Sequence, residues 1–253
     1  MRKTISTLLL LVALPALGTA QRLRANYGLP AGAVVVETRS LATAGVPDRA
    51  FVLWMIKPHK YPRDPHDQYA CPEETRGSYY HGAARVSLVD TRVRRVINTL
   101  KIIQGYADAK DEVDIPYRIH AGSYYHVAGV PTGREGTPTI LWLRDLNGDG
   151  RASEFVLYDA LFCMGLETAL FGYSAAQDRV IQYRVSLGVS DGVKREMEVL
   201  DWVDYLFSEK QVSPGYWKFE IDYRGRGGSL DRYEVRYNSR AERFEGTVNY
   251  AKQ

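Results

Sequence analysis

The chain has 253 residues, 45% of them hydrophobic, with 33 basic and 30 acidic residues and a formal net charge of +3. That near balance, with no basic stripe interleaved with aromatics, argues against nucleic acid as the partner, and no later segment approaches the eighteen consecutive apolar residues of a transmembrane helix. Eighteen tyrosines, abundant valine and 22 glycines favour strands and turns over a helical bundle.

Residues 1–20 read as a signal peptide. Arg2 and Lys3 precede the apolar run Leu8 to Leu14, and Gly18 and Ala20 supply small residues at the −3 and −1 positions of a cleavage site. The run is too short to span a bilayer and is interrupted by Pro15. Gln21, not a cysteine, stands directly after Ala20, so no lipid anchor is expected, and the chain reads as exported, periplasmic or extracellular. Cleavage leaves 31 basic residues against 30 acidic. We expect residues 21–253 to form one β-rich domain, which at this size can bury about 70% of its unfolded surface.

Strands are expected at Ala33 to Thr38 and Ala50 to Ile56, the second apolar on both faces and therefore central. Prolines 58, 62, 65 and 72 mark Lys57 to Gly77 as a surface loop. Arg85 to Val89 and Val96 to Ile102 form a hairpin, and Asp111 to Ile119 and Tyr124 to Val130 are shorter strand candidates. Ile140 to Leu143 leads into a loop at Asp145, and Glu154 to Tyr158 leads out. Leu166 to Tyr173 and Arg179 to Leu187 make a further hairpin. Val199, Trp202, Val203 and Leu206 recur at i, i+3, i+4 and i+7, which predicts one short helix over 199–207. Tyr216 to Tyr223, Asp231 to Tyr237 and Arg243 to Tyr250 finish the chain as strands. The fold class is all-β or β-dominated, with antiparallel sheets arranged as a sandwich, a barrel or a propeller-like array.

The segment DLNGDGRASEF places Asp145, Asn147 and Asp149 at positions 1, 3 and 5 of a loop, with Gly150 at position 6. A hard cation takes six to eight oxygens, and alternating Asx side chains converge on one only if the backbone coils around it. The Arg151 carbonyl, Ser153 and Glu154 complete a candidate calcium set. An EF-hand would carry a bidentate Glu at position 12, where Val156 stands. The segment instead resembles the strand–DxNxDG–strand calcium hairpins of FG-GAP, VCBS and integrin-type repeats, over about 20 residues. That resemblance implies a structural Ca²⁺. The competing reading is a pair of hairpin turns, Asn147-Gly148 and Asp149-Gly150, that need no ion.

Seventy-seven residues on, DYRGRGGSLD aligns with DLNGDGRASE without gaps, with Arg224 and Arg226 at positions 3 and 5. Cations cannot ligate calcium. We expect a guanidinium there to pair with Asp222 or Asp231 in the ion's place.

Cys71 and Cys163 form one disulfide across a loop of about 90 residues, or remain two buried thiols. No catalytic constellation stands out. The five histidines lack HExxH or HxH spacing, so any zinc site must be assembled from distant segments. Neither a GxSxG elbow nor a phosphate-binding glycine loop is present. The one polar-aromatic cluster, Glu73 and Glu74 with Tyr79, Tyr80 and His81, reads first as a surface loop. The expectation is a calcium-stabilised β-scaffold with a binding or structural role in the envelope or outside the cell, its ligand a carbohydrate or a protein. The alternative is a secreted hydrolase acting on polysaccharide or peptide through acidic residues.

Overall fold

The computed structural model describes residues 27–61, 75–76, 79–103, 112–115, 118–120, 123–125, 139–161 and 165–251. The signal peptide, Cys71, Cys163, Glu73 and Glu74 lie outside the described residues.

Seventeen strands are described, in the order β1 (Ala33–Ser40), β2 (Arg49–Tyr61), β3 (Thr75–Arg76), β4 (Tyr79–Asp90), β5 (Arg95–Lys101), β6 (Glu112–Ile115), β7 (Arg118–His120), β8 (Ser123–Tyr125), β9 (Glu154–Leu161), β10 (Gly165–Ser174), β11 (Arg179–Tyr183), β12 (Val185–Ser190), β13 (Arg195–Leu200), β14 (Val203–Asp204), β15 (Tyr216–Asp222), β16 (Leu230–Asn238) and β17 (Arg243–Ala251). The helical elements described are single 3₁₀ turns at Ala42–Ala44 and Arg224–Arg226. Among the described residues no helix is long and apolar enough to cross a membrane. The fold is β-dominated and, with the exception of the parallel pair β12–β17, its strand pairs are antiparallel.

Three sheets stack in layers. The first runs β1-β2-β4-β5, with β6 also on β4. The middle sheet is built on β10, which pairs with β9 along one side and with β11 and β14 along the other. The third runs β13-β12-β17-β16-β15, and β3, β8 and β7 form a small separate sheet. Alternation along β9 and β10 explains the stacking. Phe155, Leu157, Ala169 and Phe171 join Phe51, Leu53, Val86 and Leu88 of the first sheet in one core. Val156, Tyr158, Leu166 and Leu170 join Trp217, Val235, Phe244 and Val248 of the third sheet in another. A sheet covered on both faces needs near-continuous apolar runs, as in GLETALFGYS, whereas β15 to β17 alternate buried and exposed positions because one face meets water.

Several expectations change. The helix over 199–207 does not form. β13 continues to Leu200 and β14 follows at Val203–Asp204, because the apolar stripe does not face one surface. Val199 is 57% exposed, Trp202 enters the core against the first sheet, and Val203 and Leu206 enter the core against the third. The expected strand Arg179 to Leu187 breaks at Arg184, where the chain leaves the middle sheet for the third. Ile140 to Leu143 is not a strand, since the amides of Ile140 and Leu141 donate to the Glu37 carboxylate in place of a neighbouring strand. Finally, β2 runs past Lys57 to Tyr61, with Pro58 accommodated in a bulge.

Candidate functional site

The Asp145 segment is a nine-residue loop closed by the antiparallel bridge Arg144–Glu154. The Arg144 amide donates to the Glu154 carbonyl at 2.8 Å and the Glu154 amide to the Arg144 carbonyl at 3.1 Å. It is therefore not a two-residue hairpin turn. Inside it the backbone coils around the Asx side chains. The amides of Gly148 and Gly150 donate to the two Asp145 carboxylate oxygens at 2.7 and 2.9 Å. The Asp149 amide donates to Asn147 Oδ1 at 2.9 Å and the Arg151 amide to Asp149 Oδ1 at 2.8 Å. Gly148 and Gly150 sit at φ +79° and +84°, the left-handed region that side chains rarely adopt.

Beneath the loop, Glu154 is fully buried. It accepts the Leu146 amide at 3.0 Å, the Ser153 hydroxyl at 2.5 Å and Asn147 Nδ2 at 3.2 Å. Burial pushes its carboxyl up to about 7, and the charges of Asp149 and Asp145 push the same way, while the Ser153 and Leu146 hydrogen bonds pull it down. No lysine or arginine pairs with Asp145, Asp149 or Glu154 among the described residues. Asp149 and Arg151 are exposed, and the Arg151 carbonyl accepts the Ser153 amide at 3.0 Å. Among the described residues no three His, Cys, Asp or Glu side chains stand together as a metal cage. The oxygens on hand beyond Asp145, Asp149 and Glu154 are Asn147 Oδ1 and the Arg151 carbonyl.

Residues far away in the chain hold this loop, and sequence reasoning missed them. Gln211 donates to the Asp145 carbonyl at 3.2 Å and accepts the Gly215 amide at 2.9 Å. A Cβ on Gly148 would stand 2.8 Å from Pro214, and one on Gly215 2.6 Å from the Asn147 carbonyl, so two glycines let the segments touch. Gly172, opposite Glu154 on β10, leaves the space that Glu154 fills: a Cβ there would lie 2.8 Å from Glu154 Cγ. Beside the loop opens a cleft of about 540 Å³ whose lining includes Arg144, Asp145, Lys210, Gln211 and Pro214.

The second loop is its counterpart. Ile221 pairs with Asp231 as Arg144 pairs with Glu154, at the same offset of 77 residues, and Gly227 has φ +80° where Gly150 has +84°. Here Arg224 grips Asp222 with both arms of its guanidinium, at 2.9 and 2.7 Å, and holds that carboxyl down at about 2. The expected guanidinium pairing is made by Arg224 on Asp222, and the Arg226 side chain lies outside the described set. Comparison with protein-family models, curated proteins and solved structures finds no match. The reading rests on the chain's own chemistry.

Proposed function

We propose that this is an exported, calcium-stabilised β-scaffold protein with a binding or structural role in the cell envelope or the extracellular space, and that the Asp145 loop takes Ca²⁺ as a structural clip. The observation that carries this is the contrast between the two loops. They close in the same register, yet one neutralises its aspartate with Arg224, while in the other Asp145 and Asp149 act electrostatically on buried Glu154, and no cationic partner of the three is found among the described residues. A buried carboxylate with two further acidic charges close by favours a counter-ion, and an all-oxygen set suits a hard cation. Asp145, Asn147, Asp149 and Glu154 would hold it with the Arg151 carbonyl, and Ser153 would orient Glu154. The cleft beside the loop is the place we assign to a ligand, a carbohydrate or a protein segment.

The test is the thermal unfolding midpoint in EDTA and in millimolar calcium. A site with a Kd of ~0.1 mM adds about 1.4 kcal/mol in ~1 mM calcium, or about 2 to 4 °C at this chain length. The rise should vanish in Asp145→Ala/Asp149→Ala. Arg224→Ala should lower the midpoint slightly with no rescue by calcium. A wild-type midpoint indifferent to calcium would reduce the loop to an ion-free hairpin.

The second reading, a secreted hydrolase, is favoured by one observation. Glu167 lies directly across from Asp159 on β9 and Asp204 on β14, and its carboxyl is pushed up to about 7 by burial and by those two charges, the condition of a general acid. Loss of a measured glycosidase or peptidase activity in Glu167→Gln would support it.

A further inference from the structure

Asn147-Gly148 is the only Asn-Gly pair in the chain; the other asparagines, Asn26, Asn98, Asn238 and Asn249, precede tyrosine, threonine, serine and tyrosine. That pair carries a chemistry of its own. Glycine has no Cβ to shield its amide nitrogen, so the Gly148 nitrogen has access to the carbonyl carbon of the Asn147 side chain whenever the backbone is free to turn. In that reaction the Gly148 nitrogen gives its proton to a base in solvent and bonds to Asn147 Cγ, the side-chain amine leaves as ammonia, and a cyclic succinimide remains. Water then opens the ring at either carbonyl and yields aspartate or isoaspartate.

The closed loop opposes each step of this attack. The Gly148 N–H donates to Asp145 Oδ1 at 2.7 Å, and a carboxylate against that N–H disfavours loss of its proton. Asn147 is buried, 7% exposed, and its side-chain amide is held at both ends. Its Oδ1 accepts the Asp149 amide at 2.9 Å, while Nδ2 donates to Glu154 Oε1 at 3.2 Å and to the Tyr183 hydroxyl at 3.5 Å. Swinging the side chain over the Gly148 amide would break all three bonds. From outside the loop Gln211 holds the Asp145 carbonyl and the Gly215 amide, which keeps Gly215 against the Asn147 carbonyl.

We propose that Asn147 is a deamidation site gated by opening of the Asp145 loop: closure preserves the amide, and opening lets the succinimide form. Conversion then bars reclosure. Aspartate at position 147 sets an oxygen where Nδ2 now meets the Glu154 carboxylate. Isoaspartate lengthens the main chain by a carbon at a place where a Cβ on Gly215 would already stand 2.6 Å from the Asn147 carbonyl. The loop therefore records its own openings irreversibly. This modification requires no bound ion and stands apart from the calcium reading.

Incubation of the full chain at mildly alkaline pH tests it, with EDTA present so that metal occupancy does not enter. Conversion is read by peptide mapping with mass spectrometry, and isoaspartate by enzymatic methyl labelling. In guanidinium-unfolded chain Asn147 should convert ahead of the other asparagines. In the folded chain it should convert at least about tenfold more slowly, because only the open fraction reacts. Gln211→Ala removes the outer brace and leaves the Asn147 and Gly148 hydrogen bonds in place, so it should speed conversion in the folded chain and leave the unfolded rate unchanged. Asn147→Asp, which supplies one product directly, should lower the thermal midpoint in EDTA. Equal rates in folded and unfolded wild type, or a folded rate unmoved by Gln211→Ala, would overturn the proposal. A thermal midpoint indifferent to calcium would leave all of these rates as they are, so the two readings fail separately.

Discussion

Glycine decides how the Asp145 loop sits, and each glycine does so for a different reason. At Gly150 an added Cβ meets open space, so alanine there suffers only the left-handed backbone, about 1 to 2 kcal/mol. At Gly148 the same backbone strain is joined by a contact of 2.8 Å with Pro214. Gly148→Ala is therefore expected to cost about 1 to 2 kcal/mol more than Gly150→Ala in denaturant unfolding. Equal costs would mean that the 208–215 segment does not press on the loop. The Asx pattern was legible in the sequence because its hydrogen bonds are local. Gly172 was not, because nothing in GLETALFGYS says that β10 must leave room for a carboxylate from β9.

Among elements, β14 shows how short a strand can be and still be specified. The Thr168 hydroxyl donates to the Val203 carbonyl at 2.8 Å and accepts the Phe207 amide at 3.1 Å, which fastens β14 and the turn after it to β10. One residue away, Glu167 strains the same junction, since one of its oxygens is buried without a hydrogen-bond partner and its cross-strand neighbours are acidic. Its carboxyl is raised from 4.5 to about 7, so the folded state holds the proton more tightly than the unfolded chain does. Stability from this group is full below the ordinary carboxylate range and is lost as pH rises through about 7. Because Glu167 is only partly buried, the loss is about 1 to 2 kcal/mol after solvent screening. Glu167→Gln should remove that much of the decline in stability between pH 5 and 8, with calcium or without it. An unchanged pH profile would show that Glu167 titrates normally. The helix expected over 199–207 fails at this same scale, because a stripe of period 3.6 also arises when a bent extended segment feeds two cores in turn.

For the molecule as a whole, the question is what holds the layers in register. Asn98 on β5 receives the Val180 amide and donates to the Val180 carbonyl, both at 2.9 Å, so its side chain joins the first sheet to the middle one as a strand neighbour would. Arg49 at the start of β2 grips Asp178 in the β10–β11 turn at 2.9 and 2.7 Å and reaches Asp90 at 2.9 Å. The Asp178 carboxyl is held below its ordinary value chiefly by that guanidinium, so this stabilisation is present at neutral pH and lost as pH falls through the lowered value. Arg49→Met should cost about 1 kcal/mol near pH 7, and the difference from wild type should shrink below the ordinary carboxylate range. A deficit that persists in acid would assign the loss to packing.

Several tyrosines serve this scaffold as core: Tyr158, Tyr183 and Tyr233 are buried, and Tyr237 and Tyr250 pack against the same cluster. By itself the sequence determined the strand-rich class, most of the hairpins and the coiled Asx loop, because each follows from alternation or from hydrogen bonds within about ten residues. Only the tertiary structure decided that one sheet lies between two others, that Gln211 and Gly215 brace the loop, and that Arg224 answers Asp222. Those outcomes depend on which strands become neighbours and in what register. Burial of both faces of β9 and β10 selects that arrangement, and no local pattern encodes it.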